Sequence, residues 1–224
     1  MDVLKIKVCG LRDIQNINEI IALEPDYVGF IFYDKSPRYI GAKNIEIAKL
    51  DIPYSINKTG VFVNASHNEV INAIAFYNLK AVQLHGNESV DYCRLLKDEL
   101  ETSKLNTTEV IKAISINDSV NFNNYNAYIP FTNYFLLDTS TVLKGGSGNK
   151  FNWSLLLNYN LNHKFFLSGG IEPNDAIEII NIDSPMLVGI DINSKFEISP
   201  GLKNTSLVKT FIKEIRDNGK LRSK

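Results

Sequence analysis

Two cysteines and three histidines are scarce material for metal or redox chemistry in a chain of 224 residues, and they do not cluster at ligand spacings. Cys9 and Cys93 lie far apart with no secretory signal before them, which argues against a disulfide framework and for a reducing compartment, the cytoplasm by default. No GxGxxG motif follows the first candidate strand, so the dinucleotide fingerprint is missing. Nor is there charge of one sign: 24 Lys and Arg stand against 25 Asp and Glu, for a formal net charge of -1. That balance supplies no basic field for nucleic acid, and an anionic ligand has to be held by local geometry. Long apolar runs are lacking too. The stretch at the N-terminus is broken by Lys5 and Lys7, too short and too charged for a signal h-region or a membrane span, so no membrane association is expected.

What is present is alternation. Short β-rich apolar runs occur at 3–8, 27–32, 58–63, 80–85, 110–115, 134–138, 164–168 and 186–191, and they read as strands covered on both faces. Between them lie helical patterns at 13–23, 42–50, 66–77, 88–100, 153–158, 172–180 and 203–216, with a weak, Asn-rich one at 117–126. Asp13, Ser66 and Asn174 are candidate N-caps, and the spacing of Ser66 and Glu69 fits a capping box. Repeated βα units with right-handed crossovers either close into a barrel or spread into a doubly wound sheet. Even repetition, the missing dinucleotide motif and polar residues at many strand C-termini favour closure. With 44% hydrophobic residues, one core suffices. The expected fold is α/β, a single (β/α)8 TIM barrel domain over 1–224.

The strand ends carry the chemistry. Period-2 alternation puts Lys7 and Cys9 on one side of the first strand, toward the barrel interior. A lone cysteine there is more often a buried structural residue, but Lys7 beside it favours the thiolate that a base needs. Lys7 has a second reading as partner of Asp191 on the eighth strand. The sixth strand delivers Asp138 to the same mouth, and a carboxyl group and a thiol on two strands can exchange protons with two sides of a ligand. Ser168-Gly169-Gly170 runs from the seventh strand into a helix start, and Asp191-Ile192-Asn193-Ser194 follows the eighth. Backbone amides in those two loops form an anion cradle where this fold usually holds phosphate. Gly145 and Gly146, in a glycine-rich loop after the sixth strand, suit a flap over bound ligand. Arg38, Gln83 and His85 complete the mouth, and Arg38 can hold a carboxylate in bidentate fashion.

The ordered segments KVCGLRD (7–13), GFIFYDKSPRYI (29–40), GVFVN (60–64), AVQLHG (81–86), LLDT (136–139), GGSGNKFNW (145–153), FFLSGGIEPNDA (165–176) and GIDINSKFEISPGLKN (189–204) together resemble the phosphoribosylanthranilate isomerase family. The resemblance implies an Amadori rearrangement of N-(5-phosphoribosyl)anthranilate in tryptophan biosynthesis, without cofactor or metal. It implies Asp138 as general acid to the furanose ring oxygen, Cys9 as general base at C2, and Arg38 on the anthranilate carboxylate. The amides around Gly169, Gly170, Asn193 and Ser194 would hold the phosphate, and Asp191 is a substrate-contact candidate. Lys195 departs from the family's usual small residue and offers a phosphate contact of its own. A monomer or weak homodimer is expected. Two alternatives stay open: the related histidine-pathway isomerase, whose base resembles an Asp where Cys9 stands, and a barrel that only binds a phosphorylated ligand.

Overall fold

In the computed structural model, which describes residues 3–41, 43–139 and 150–219, eight parallel strands pair each with the next and the eighth returns to the first. They are β1 (Lys5–Val8), β2 (Tyr27–Ile31), β3 (Asn57–Phe62), β4 (Ala81–Leu84), β5 (Glu109–Ile116), β6 (Tyr134–Thr139), β7 (Phe165–Leu167) and β8 (Leu187–Ile192). Each lies at its expected place, and the closed ring settles the choice between barrel and open sheet. Closure brings β1 beside β8, with Lys7 in register with Asp191.

Helices cover the ring where the sequence supplies both a cap and an apolar stripe. In α1 (Ile14–Ile21) Asp13 accepts from the Asn16 N–H at 2.8 Å, and in α3 (His67–Tyr77) Ser66 and Glu69 form the expected capping box. Ser89 caps α4 (Val90–Thr102), and α6 (Thr205–Gly219) closes the ring. Elsewhere the helical expectation is corrected. The 42–50 pattern yields only the single turn α2 (Ile45–Ala48). Trp153–Asn158 is a 3-10 segment, while Phe122–Phe131, 3-10 with Pro130 inside, agrees with the short or irregular element that the weak pattern there implied. Asn174 is not a cap. The turn Pro173–Asp175 starts at Glu172, whose N–H donates to Asp175 Oδ2 at 2.6 Å, and α5 (Ala176–Ile180) follows. Gly145 and Gly146 lie outside the described residues.

Two apolar layers build the core. Outside the ring, Val8, Val28, Val82, Leu137 and Ile190 pack against Ile17, Ile20, Ile74, Leu96 and Phe211 of the helices. Inside it, Tyr27, Ala81, Ile111, Leu136 and Phe166 form a plug, with Phe166 edge-on to Tyr27 and to Tyr134, both at 5.3 Å. The plug places the site. Because side chains alternate, the residue two positions after a plug member emerges above it: Gly29 after Tyr27, Gln83 after Ala81, Asp138 after Leu136 and Ser168 after Phe166. An unexpected hairpin, β9 (Glu197–Ser199) and β10 (Leu202–Lys203), turns through Pro200 and Gly201, where φ of +89° suits glycine.

Candidate active site

The C-terminal ends of the strands surround a solvent-open cavity of about 840 Å³. Cys9, Arg38, Gln83, His85, Asp138, Ser168, Gly169, Gly170, Asp191, Asn193 and Ser194 all line it, so the described site residues expected from the sequence, Lys195 apart, are gathered there.

Cys9 is buried on one side by Ile31, Val61 and Tyr33, and touches the cavity on the other. Beneath it, the fully buried Lys7 ammonium donates to Asp191 Oδ1 at 2.9 Å, which bears out the second reading of Lys7. The first reading holds in direction, since Lys7 draws Cys9 toward its thiolate, but it is outweighed in the resting protein. Burial pushes the Cys9 thiol up, Lys7 only partly offsets this, and Asp191 opposes it, so the resting residue is a thiol. Burial also lifts the Asp191 carboxyl while Lys7 pulls it down.

Across the mouth, Asp138 Oδ2 lies 3.1 Å from His85 Nε2, and His85 Nδ1 lies 2.7 Å from Gln83 Nε2. With the Gln83 amide donating, the His85 proton sits on Nε2 and points at Asp138, an assignment made from the hydrogen-bond network. Gln83 Oε1 is buried and has no hydrogen-bond partner among the described residues. Asp138 Oδ1 accepts from the Thr139 N–H at 2.9 Å. Gly169 packs so tightly here that an added Cβ would stand 2.7 Å from Asp138 Oδ1, and its φ of +85° is one that side-chain-bearing residues rarely adopt.

Gly169 and Gly170, both at positive φ, follow β7, while Asn193 and Ser194 follow β8. Their strands are neighbours, so the two loops face one another as halves of a cradle. Lys195 pairs with Glu172 at 3.0 Å. Arg38 uses its fork on a protein carboxylate: Nε donates to Glu197 Oε1 and Oε2 at 2.9 and 3.1 Å, and Nη2 donates to Oε2 at 2.6 Å. Sequence reasoning named no role for Glu197 or its neighbour Lys203. The available signal was the Pro-Gly dipeptide between short alternating runs, which marks a hairpin and brings 197 and 203 together. It also passed over Ile31, Tyr33, Val61 and Val63, the apolar wall suited to an aromatic ring. Among the described residues, no group of three or more His, Cys, Asp or Glu is placed to hold a metal ion, and no helix is long and apolar enough to cross a membrane.

Comparison with known proteins agrees with this arrangement. Residues 6–214 match the family model described as N-(5'-phosphoribosyl)anthranilate (PRA) isomerase. An N-(5'-phosphoribosyl)anthranilate isomerase of Parabacteroides distasonis is 41% identical over 94% of this chain and 92% of its own. The crystal structure of phosphoribosyl anthranilate isomerase from Thermotoga maritima superposes with a TM-score of 0.81 at 31% identity, covering 96% of this chain and 99% of the other. Another such isomerase, solved in complex with reduced 1-(o-carboxyphenylamino)-1-deoxyribulose 5-phosphate, superposes at 0.79 with 29% identity and the same coverage. A family match that runs from the first strand into the last helix, together with a relative this similar along nearly its whole length, places the chain in the N-(5'-phosphoribosyl)anthranilate isomerase family.

Proposed function

We propose that this mouth converts N-(5-phosphoribosyl)anthranilate to 1-(2-carboxyphenylamino)-1-deoxyribulose 5-phosphate, an Amadori rearrangement in tryptophan biosynthesis, by general acid and general base catalysis. Asp138, in its protonated form, gives a proton to the furanose ring oxygen and becomes the carboxylate that the His85 Nε2–H and the Thr139 N–H support, the bond from that oxygen to C1 breaks, and the anthranilate nitrogen forms a Schiff base at C1. The Cys9 thiolate then takes the proton from C2, leaving an enolamine that tautomerises to the C2 ketone with a proton added at C1. The thiolate is the minor form of a thiol with a raised pKa. It is therefore a strong base when formed, and the Lys7 ammonium is at hand to stabilise it. No metal or cofactor enters these steps.

The rest of the mouth positions the substrate. Backbone amides around Gly169, Gly170, Asn193 and Ser194 hold the phosphate, Arg38 meets the anthranilate carboxylate, and the apolar wall at Ile31 and Val61 takes the ring. Gln83 Oε1, which lacks a donor among the described residues, accepts from a sugar hydroxyl. The proposed working unit is a monomer or weak homodimer, in a cytoplasmic setting.

One observation carries the reading: a thiol on β1 and a carboxyl group on β6 line the same cavity as the glycine cradle. With phosphoribosylanthranilate generated in the assay, Cys9→Ala, Cys9→Ser and Asp138→Asn are each expected to lower kcat by at least about 10²-fold. Binding of the reduced product analogue should persist. Nearly full turnover by any of these variants removes that residue from the mechanism, and binding without rearrangement by the unaltered protein leaves only a ligand-binding barrel.

A further inference from the structure

Behind Arg38 lies a buried charge cluster that the proton transfers do not use. Glu197, which opens β9, receives the Arg38 fork and also accepts from Lys203 Nζ of β10 at 2.7 Å and from the Gly201 N–H at 3.1 Å. Lys203 Nζ donates as well to Asn193 Oδ1 at 2.7 Å, so the cluster reaches the phosphate cradle. Asn16 of α1 pins the Lys203 backbone, accepting from its N–H at 2.7 Å and donating to its carbonyl at 2.9 Å. The three charged side chains are almost completely enclosed, at 9%, 4% and 0% exposure for Arg38, Glu197 and Lys203.

The charges do not balance. Two cations share one carboxylate, and among the described residues no second acid forms an ion pair with either. Burial pushes the Glu197 carboxyl up, but hydrogen bonds from Arg38 and the charge of Lys203 hold it below its usual range, so it stays ionised; burial, with Arg38 adding to it, draws the Lys203 ammonium below its usual range although Glu197 opposes this, so the second charge is held at a cost that a further anion would relieve. A buried, unmatched positive charge is unfavourable until an anion meets it. Arg38 lines the cavity, its Nη1 has no hydrogen-bond partner among the described residues, and Glu197 prevents the guanidinium from turning.

We propose that Glu197 is a positioning residue that, with Lys203, sets substrate specificity: its grip orients Arg38 toward the ring substituent, and the surplus positive charge selects a carboxylate there. This rests on Arg38 meeting the anthranilate carboxylate, as proposed above, and it adds the reason that one arginine suffices. Part of the carboxylate's attraction comes from a lysine it never touches.

The test compares inhibition by reduced 1-(o-carboxyphenylamino)-1-deoxyribulose 5-phosphate with that by its analogue lacking the carboxyl group. Any disturbance of the phosphate cradle or of the fold weakens both, so the ratio of the two inhibition constants isolates carboxylate recognition. Glu197→Asp keeps the charge and shortens the reach by one methylene, while Lys203→Met keeps the grip and removes the surplus charge. Each is expected to reduce the ratio by about tenfold, the scale of one charge-assisted contact. Arg38→Met is the control and should bring the ratio close to one. If Arg38→Met leaves it unchanged, the carboxylate reading itself falls. If Arg38→Met abolishes the preference while Glu197→Asp or Lys203→Met preserves it, the inference alone is overturned. Should Glu197→Asp fail to fold, Lys203→Met decides the matter.

Discussion

Gly29 occupies the β2 position nearest Cys9, and replacing it with alanine tests whether the sulfur's place matters. A Cβ at residue 29 would stand 2.8 Å from Cys9 Sγ, 3.1 Å from its Cα and 3.3 Å from its Cβ. Non-bonded heavy atoms prefer separations of about 3.5–4.0 Å, so the sulfur would have to withdraw by about 1 Å. The backbone cannot absorb the shift, because the Cys9 N–H donates to the Ile192 carbonyl at 2.9 Å and the Gly10 N–H donates to the Gly29 carbonyl at 2.9 Å. The sulfur is left to rotate against Ile31 and Val61, an overpacking that costs about 1–3 kcal/mol of stability. A displacement of about 1 Å at a reacting group lowers rates by about 10²-fold. Steady-state turnover of Gly29→Ala should therefore fall by about 10²-fold, with the melting temperature only modestly lower and the reduced product analogue still bound. In a Cys9→Ala background, Gly29→Ala should cost almost nothing further, because both changes act on the same base. A folded Gly29→Ala protein with unaltered kcat would refute the argument, as would full additivity with Cys9→Ala.

Two other outcomes follow from buried groups. With Cys93→Ser as background, the ultraviolet absorbance of the Cys9 thiolate should appear only on the alkaline side of the ordinary thiol range, because burial disfavours the charged form. A titration midpoint at or below neutrality would show that Lys7 outweighs burial. Lys112→Met should cost about 3–5 kcal/mol in urea unfolding at neutral pH, because the Lys112 ammonium pairs with the buried Glu88 at 2.9 Å and its loss strands that carboxylate. Burial lifts the Glu88 carboxyl, but Lys112 and backbone N–H groups hold it below its usual range. Its contribution is thus present above the ordinary carboxylate range and fades as pH falls through the lower folded value, so the deficit of Lys112→Met should shrink in acid. A deficit that is small at neutral pH, or constant across that range, would count against this account.

The strands were legible because each is a short apolar run whose composition reflects cover on both faces, as in VLKIKV and YVGFIF. The mouth was legible for a related reason: alternation carries the chain from Leu136 in the plug to Asp138 above it, so a polar residue ending such a run already has an address. Helical pattern was a poorer guide. Pro130 within 122–131 and Pro173 at the start of the seventh helical unit tighten those turns in ways that spacing alone does not distinguish from an α-helix.

Partnership was the least visible property. Arg38 was recognised as a carboxylate ligand from its chemistry, yet Glu197 grips it from 159 residues away, and no period links a loop after β2 to a hairpin after β8. Lys7 and Asp191 could be paired in advance because both sit on strands whose adjacency follows from closing the ring. The same limit governs ionisation. A lysine two residues before Cys9 can be read from the chain, but the balance between its attraction, the opposing Asp191 and the enclosing apolar wall depends on how completely water is excluded, and only packing decides that. The alternating strands therefore foretell which groups reach the mouth, while their charge and orientation depend on contacts such as Glu197 with Arg38, made between segments that alternation does not connect.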